Sequence, residues 1–437
     1  MFQTGSLCIA PIIVILGTAA AAVVNQGAAL TYGFTQATRY EPKAWTEGRD
    51  RFPSGAVLKV ARGGERRPVA PGFYASADAA ISFDGKRVLF SGRRVASEPW
   101  QIWEVPLAGG TPRRVTQNDS NCIRPLYLPN AGIVYTRWTP GESYIELVDG
   151  AKASRLTYAP GRYLTDDVLG DGRILFESAR DNVREIFAMY PDGTGMESLR
   201  CDHGPDRGDA RQISSGDVVF GVGGRLARFT SALAAQADLP QPDRESVGPV
   251  AEISPGEWIV ALRGRDGRLG LYRWTSAGKR AAVLEAPANA DAVEPVVVAA
   301  RVAPRRFPSA LLPTRTAGIL LCLDARASRS ATMGREVTRA RLYTQNGNGS
   351  PLLLGQTTIE RDGSFYVEVP GDKPLRIELA DASGRVLQGE RHWFWMRTGE
   401  QRICVGCHAG PERAPENKVP EVLLRSTIPL RMLGEAP

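Results

Sequence analysis

Near the C-terminal end of the 437-residue sequence, Cys404-Val405-Gly406-Cys407-His408 combines two thiols and an imidazole at fixed spacing. The pattern C-x-x-C-H is the attachment signature of a c-type haem. Two thiols separated by two residues can each add to one haem vinyl group, giving two thioethers. The histidine that follows is then held beneath the ring, where a neutral nitrogen of His408 can ligate the iron. Gly406 is expected to remove side-chain bulk from a loop running close to the porphyrin. Two other chemistries use a CxxC. Structural zinc usually takes four ligands, often from a second Cys or His pair. There is no second CxxC here, and the other histidines are His203 and His392. A thioredoxin-type dithiol opens a helix after a βαβ pattern, whereas the residues before Cys404 alternate like strands.

Further candidates surround the motif. His392-Trp393-Phe394-Trp395-Met396 is a dense aromatic cluster beginning twelve residues ahead of Cys404. It reads either as core or as the apolar wall of a haem pocket, with Trp393 and Trp395 on one strand face. Arg397 and Arg402 are expected partners for the haem propionates, because guanidinium pairs with carboxylate in a fork. The candidates for the sixth iron position are His392, Met396 and Met432. On a regular strand His392 and Met396 share one face and the two tryptophans the other. The tryptophans bury more area, so His392 is expected to face away, leaving Met432 or water to the iron.

Elsewhere the titratable groups suggest little chemistry. Asp166-Asp167 are adjacent, and adjacent residues of a strand point to opposite faces. Cys201-Asp202-His203 is an isolated cluster in a turn, and Ser214 and Ser254 lack a nucleophile-elbow context. Cys322 lies in an apolar run and reads as a buried thiol. Cys122 and Cys201 can pair in an oxidising compartment, which sequence alone leaves open. The formal charge is +7, carried largely by arginines scattered in turns. No lysine-rich run or basic-aromatic interleaving points to nucleic acid; an acidic redox partner protein would be attracted to this surface.

These residues need a scaffold, and its pattern is all-β. Residues 1–24 read as a signal peptide, with an uncharged apolar run from Leu7 to Val24. That run is also long enough for an uncleaved anchor, which would be the only membrane contact. Export to the periplasm or another extracytoplasmic space is the expectation, and covalent haem attachment takes place there. Residues 25–53 form a polar segment with little periodicity. From 54 to 303 a strand–turn–strand unit recurs, most cleanly as Ile81-Ser82-Phe83-Asp84-Gly85-Lys86-Arg87-Val88-Leu89-Phe90. Equivalent positions Phe90, Tyr135, Phe176, Phe220 and Ala261 are 45, 41, 44 and 41 residues apart. A four-stranded unit at that period is a β-propeller blade. Ser54–Val69 supplies outer strands only, and Ala292–Val302 is the expected inner strand that closes six blades; seven is the alternative. After a proline- and arginine-rich boundary, residues 316–437 read as a small antiparallel β-sandwich that ends in the haem-binding segment.

Several stretches together resemble a known family. They are Gly363-Ser364-Phe365-Tyr366-Val367-Glu368-Val369-Pro370, Trp393-Phe394-Trp395, Gly399-Glu400-Gln401-Arg402, the CxxCH and Ala414-Pro415-Glu416-Asn417. They resemble the middle haem domain of hydrazine synthase alpha subunits, and the repeat resembles PD40/TolB-type blades. The resemblance implies an extracytoplasmic protein with one covalent haem c on Cys404 and Cys407, and a place in a hetero-oligomer. The family's second C-x-x-C-H has no counterpart in this sequence. Its unusual tyrosine iron ligand is missing too: Glu412 stands four residues beyond His408, and no tyrosine follows Tyr366. His408 is therefore the expected iron ligand. The readings that follow are an electron-transfer or small-ligand-binding haem subunit of an oxidoreductase, or a propeller scaffold that binds a partner through a structural motif.

Overall fold

The fold is that of a computed structural model, which describes residues 29–200, 204–230, 235–327, 333–390, 392–406 and 418–434. The signal-like residues 1–24 lie outside the described residues, and so do Cys201, His203, Cys407, His408, Glu412 and Asn417. No helix among the described residues is long and apolar enough to cross a membrane.

Among the described residues, six four-stranded antiparallel sheets form the propeller. Blade 1 joins Asp291–Val297 as innermost strand to Thr31–Ala37, Val57–Arg62 and Glu65–Pro68. Blades 2 to 6 follow in chain order, with innermost strands Ala75–Ile81, Asn121–Tyr127, Arg162–Val168, Arg207–Gln212 and Ala251–Ser254. The closure differs from the sequence expectation in one respect. The second strand of blade 1, Thr31–Ala37, comes from the segment 25–53 that shows no periodicity. Its apolar signal is only Tyr32 and Phe34, split by Gly33. The rest of that segment caps the ring axis. Tyr40, Trp45 and Phe52 pack in one buried cluster with Ala77, Ile123, Leu164, Val247 and Val293, one residue from each of five blades. The surrounding charges that made this stretch look solvent-facing are paired, for example Arg49 with Glu41 and Glu47.

The innermost strands carry a shared irregularity. All six shift register: in blades 1 to 5 the residues at the shift are Glu294, Asp78, Arg124, Asp166 and Asp209, and in blade 6 the shift falls later, between Glu252 and Ser254. Gly248 takes the corresponding place ahead of the blade 6 strand, with φ 77°. Asp78, Arg124, Asp209 and Glu294 also have φ between 51° and 59°, which is unusual for residues with a Cβ. An ion network holds them there. Arg124 reaches Glu294 at 3.1 Å and Asp78 and Asp209 at 3.6 Å, and Arg51 from the capping segment pairs with both Asp78 and Glu294.

Beyond the linker, two sheets face each other across one core. The first orders Gln401–Cys404, Ala317–Cys322, Phe365–Pro370 and Leu430–Arg431; the second orders Pro351–Thr358, Arg339–Gln345, Lys373–Ala380 and Val386–Gly389. Pairing within 317–390 is antiparallel, as the alternation predicts. Gln401–Cys404 and Leu430–Arg431 add themselves in parallel, each at an edge. The short strand Phe394–Met396 pairs with Lys373–Leu375 and carries the aromatic cluster to the propeller side.

Candidate functional site

Cys404 is the last residue of the strand Gln401–Cys404, which is laced into the sandwich along Ala317–Cys322. The Leu323 N–H donates to the Cys404 carbonyl at 2.8 Å, and the Ile319 N–H to the Glu400 carbonyl at 2.8 Å. The motif therefore leaves the sheet from a fixed point. The Cys404 side chain packs against the edge of the sandwich core. Burial pushes its thiol up, partly offset by the Arg402 guanidinium. Gly406 approaches the chain's own backbone closely. A Cβ there would lie 2.7 Å from the Ala327 carbonyl oxygen and 2.9 Å from that of Asp324.

Both arginines expected at the propionates are engaged with protein carboxylates. Arg402 Nε donates to Glu400 Oε1 at 2.8 Å, and Arg397 Nε to Asp372 Oδ1 at 2.6 Å. Glu400 is a buried hub. It also accepts from the Arg397 N–H at 2.7 Å and, from the propeller, the Gly195 N–H at 3.1 Å. Arg397 additionally donates to the Asp192 carbonyl, so the turn Asp192–Gly195 of blade 4 is clamped by 397–400. Nothing in the sequence marks this turn as an interface; Glu400 could be found only within the stretch Gly399–Arg402.

Trp395 is fully buried, and its indole N–H donates to the Gly193 carbonyl at 3.1 Å. It meets the ring of Tyr163 edge-on, with centroids 6.0 Å apart. Trp393 and Trp395 both pack against blades 3 and 4, while Phe394 and Met396 turn into the sandwich core, as strand alternation requires. His392 does not obey that alternation. It sits in a bend before the strand starts and lines the same cavity as the two tryptophans. The argument that turned His392 away assumed a strand from 392 onward, and the strand begins at Phe394. Its Nε2 lies 4.0 Å from Glu185 Oε1 on the propeller. Met432 is also placed differently from expectation. It is 1% exposed within the sandwich core, and Met396 is equally buried.

Two cavities flank this junction. One, of about 420 Å³, lies between blade 4 and the aromatic strand and is lined by Tyr163, Phe176, Phe187, His392, Trp393 and Trp395. The other, of about 500 Å³, is lined by Tyr190, Phe307, Glu400, Arg402 and Ile403 beside the strand that ends in Cys404. No cluster of three or more His, Cys, Asp or Glu side chains suited to a metal ion occurs among the described residues. The propeller seryl groups are held in turns, Ser214 by Glu252 at 2.9 Å and Ser254 by Glu257 at 3.1 Å. Asp166 meets Glu177 and Asp209 near the axis, and burial followed by the Glu177 charge raises its carboxyl well above the usual range.

Residues 321–409, which contain the whole CxxCH, match the family model described as the hydrazine synthase alpha subunit middle domain. This part of the chain is similar to the hydrazine synthase alpha middle domain. A curated relative, hydrazine synthase subunit alpha of Kuenenia stuttgartiensis, is 33% identical over 61 residues, covering 14% of this chain and 8% of that subunit. The likeness of fold extends much further. A chain of the Kuenenia stuttgartiensis hydrazine synthase structure superposes with TM-score 0.78 at 16% identity, over 91% of this chain and 72% of that one. The hydrazine synthase alpha-like chain thus shares with it the order of propeller and sandwich. TolB from Acinetobacter baumannii superposes at TM-score 0.47 and 16% identity, over 63% of this chain and 67% of that one.

Proposed function

We propose that this chain is an exported, single-haem c-type subunit, with the haem tethered through Cys404 and Cys407 and its iron held by His408. The observation that carries the reading is the placement of Cys404. It ends a strand whose backbone is fixed by the neighbouring strand and whose preceding Glu400–Arg402 pair is locked to the propeller, with a cavity of about 500 Å³ beside it. The donor set fits the group: a thiol at a fixed point, a second thiol three residues on, and an imidazole next to it. Bound haem supplies one-electron chemistry at iron. The chain's own part is to tether the group, to exclude water with the aromatic walls of the junction, and to present His392 on a cavity wall. Both methionines are buried in the sandwich core, and His392, on the wall of the 420 Å³ cavity rather than of the one beside Cys404, is the remaining sequence candidate for the sixth iron position. The relatives' names, which describe a subunit of hydrazine synthase, support assembly into a hetero-oligomer; a redox partner protein belongs to the proposal.

Protein matured in a periplasm with a haem-attachment system should carry one covalent haem on a peptide containing Cys404–His408, by mass spectrometry. Replacing Cys404 and Cys407 by alanine should abolish it. A haem-free wild type with bound zinc would refute the reading. Binding of carbon monoxide by the reduced protein is expected if a small ligand is handled here. The alternative is a low-spin spectrum that disappears in His392→Ala, which would assign that axial position to His392 and the role to electron transfer.

A further inference from the structure

The strand that presents Cys404 lies in parallel register with Ala317–Cys322, and the register places Cys404 directly beside Cys322. Opposed residues of neighbouring parallel strands project to the same face of a sheet. Burial bears this out on both strands. Cys322 is 2% exposed within the sandwich core and Cys404 packs against the same core, whereas Ile403, the residue before Cys404 and on the opposite face, is 65% exposed. Adjacent strands run about 4.8 Å apart, within the roughly 4.4–6.8 Å Cα separation that a disulfide spans. The structure records both residues as thiols.

We propose that Cys322 and Cys404 form a disulfide in the haem-free protein, and that this bond gates haem attachment. The second half rests on the haem reading of Cys404; the first does not. The chemistry is two-step thiol–disulfide exchange with a disulfide-bearing oxidant. The Cys404 thiolate, on the more accessible edge strand, attacks one sulfur of the oxidant and releases one oxidant thiol. The Cys322 thiolate then attacks the Cys404 sulfur, closing the intramolecular bond and releasing the second thiol. Two electrons pass to the oxidant, and the two cysteine protons end on its two thiols. While the bond stands, Cys404 has no thiol to add to a vinyl group. Reduction restores it, so attachment at this position responds to the redox state of the compartment. A bond joining directly opposed parallel residues holds its Cβ atoms farther apart than the relaxed value of about 3.8 Å, and strained disulfides are the reducible ones.

The test uses the full chain in its haem-free form with oxidised glutathione as oxidant, followed by alkylation under denaturing conditions and peptide mapping. The expected product is a linked pair of peptides, one containing Cys322 and one containing Cys404. It should persist in Cys407→Ser and vanish in Cys322→Ala. Full alkylation of Cys322 after oxidation, or linkage of Cys404 to Cys407 alone, overturns the disulfide. The gate is read in Cys407→Ser, which removes the competing thiol. Oxidation should abolish covalent haem addition at Cys404, reduction should restore it, and Cys322→Ala in that background should make the yield indifferent to oxidation. Equal yields in both redox states overturn the gate. Failure of haem to attach in every reduced variant, with the linked peptides present, refutes the haem reading and leaves the thiol pair standing.

Discussion

Arg51→Ala is expected to destabilise the propeller by about 3–5 kcal/mol, the usual cost of removing one partner from a buried ion pair. The Arg51 side chain is 2% exposed and pairs with Asp78 and Glu294, which are equally buried. Its loss leaves these two carboxylates to Arg124, which already serves Asp209 as well. Burial alone would raise the Asp78 carboxyl, but Arg51 and then Arg124 more than offset it and hold it at about 2. The folded value is therefore depressed below the unfolded one of about 3.9, so the group's contribution is complete above that pH and is lost as pH falls toward 2. In Arg51→Ala the Asp78 carboxyl should titrate higher and acid unfolding should begin at higher pH. Urea melts at neutral pH and across pH 2–5 measure both effects. A variant within 1 kcal/mol of wild type at neutral pH, with an unchanged acid midpoint, would show that the axial network contributes little.

Trp395→Ala is expected to cost about 3–5 kcal/mol, the range for truncating a fully buried aromatic side chain. The location matters more than the size. The indole fills the junction between the sandwich strand and blades 3 and 4, and its N–H satisfies the Gly193 carbonyl. The alanine variant should therefore melt in two calorimetric steps, with the sandwich and propeller parting before either unfolds. Trp395→Phe should retain the apolar contact with Tyr163 and lose only the hydrogen bond, about 1 kcal/mol. A single unshifted transition in Trp395→Ala would mean that the Glu400 and Arg397 contacts to the turn Asp192–Gly195 hold the two parts together unaided.

The ring of blades was legible because each blade must repeat the same alternation and turn, so Phe90, Tyr135, Phe176 and Phe220 recur at a near-constant period. The axial charges were not. Their six positions hold Glu, Asp, Arg, Asp, Asp and Gly, so no single residue type marks every blade, and they align only once the register shifts are known. Tyr40, Trp45 and Phe52 were hidden for a related reason, since each is an isolated aromatic among charges whose partners lie far away in sequence. Around the motif, the strand alternation at Trp393–Met396 was correctly read from the sequence. The start of that strand was not, and two residues of error were enough to misplace His392. Trp395 illustrates a general ambiguity: a buried aromatic strand fits a core, a cofactor wall or an interface equally well from sequence, and the Gly193 carbonyl 202 residues away is what distinguishes them.

The pairing of Thr31–Ala37 with Asp291–Val297 has a consequence for biosynthesis. The second strand of blade 1 is made early, yet its inner neighbour is synthesised some 250 residues later. At about 5–20 residues per second that interval is on the order of tens of seconds. Throughout it one edge of Thr31–Ala37 presents unpaired amides and carbonyls to any other extended chain. The ring can close only after residue 297 has been made. A nascent chain truncated before that point is expected to be a target for chaperones and proteases, whatever the quality of its other five blades.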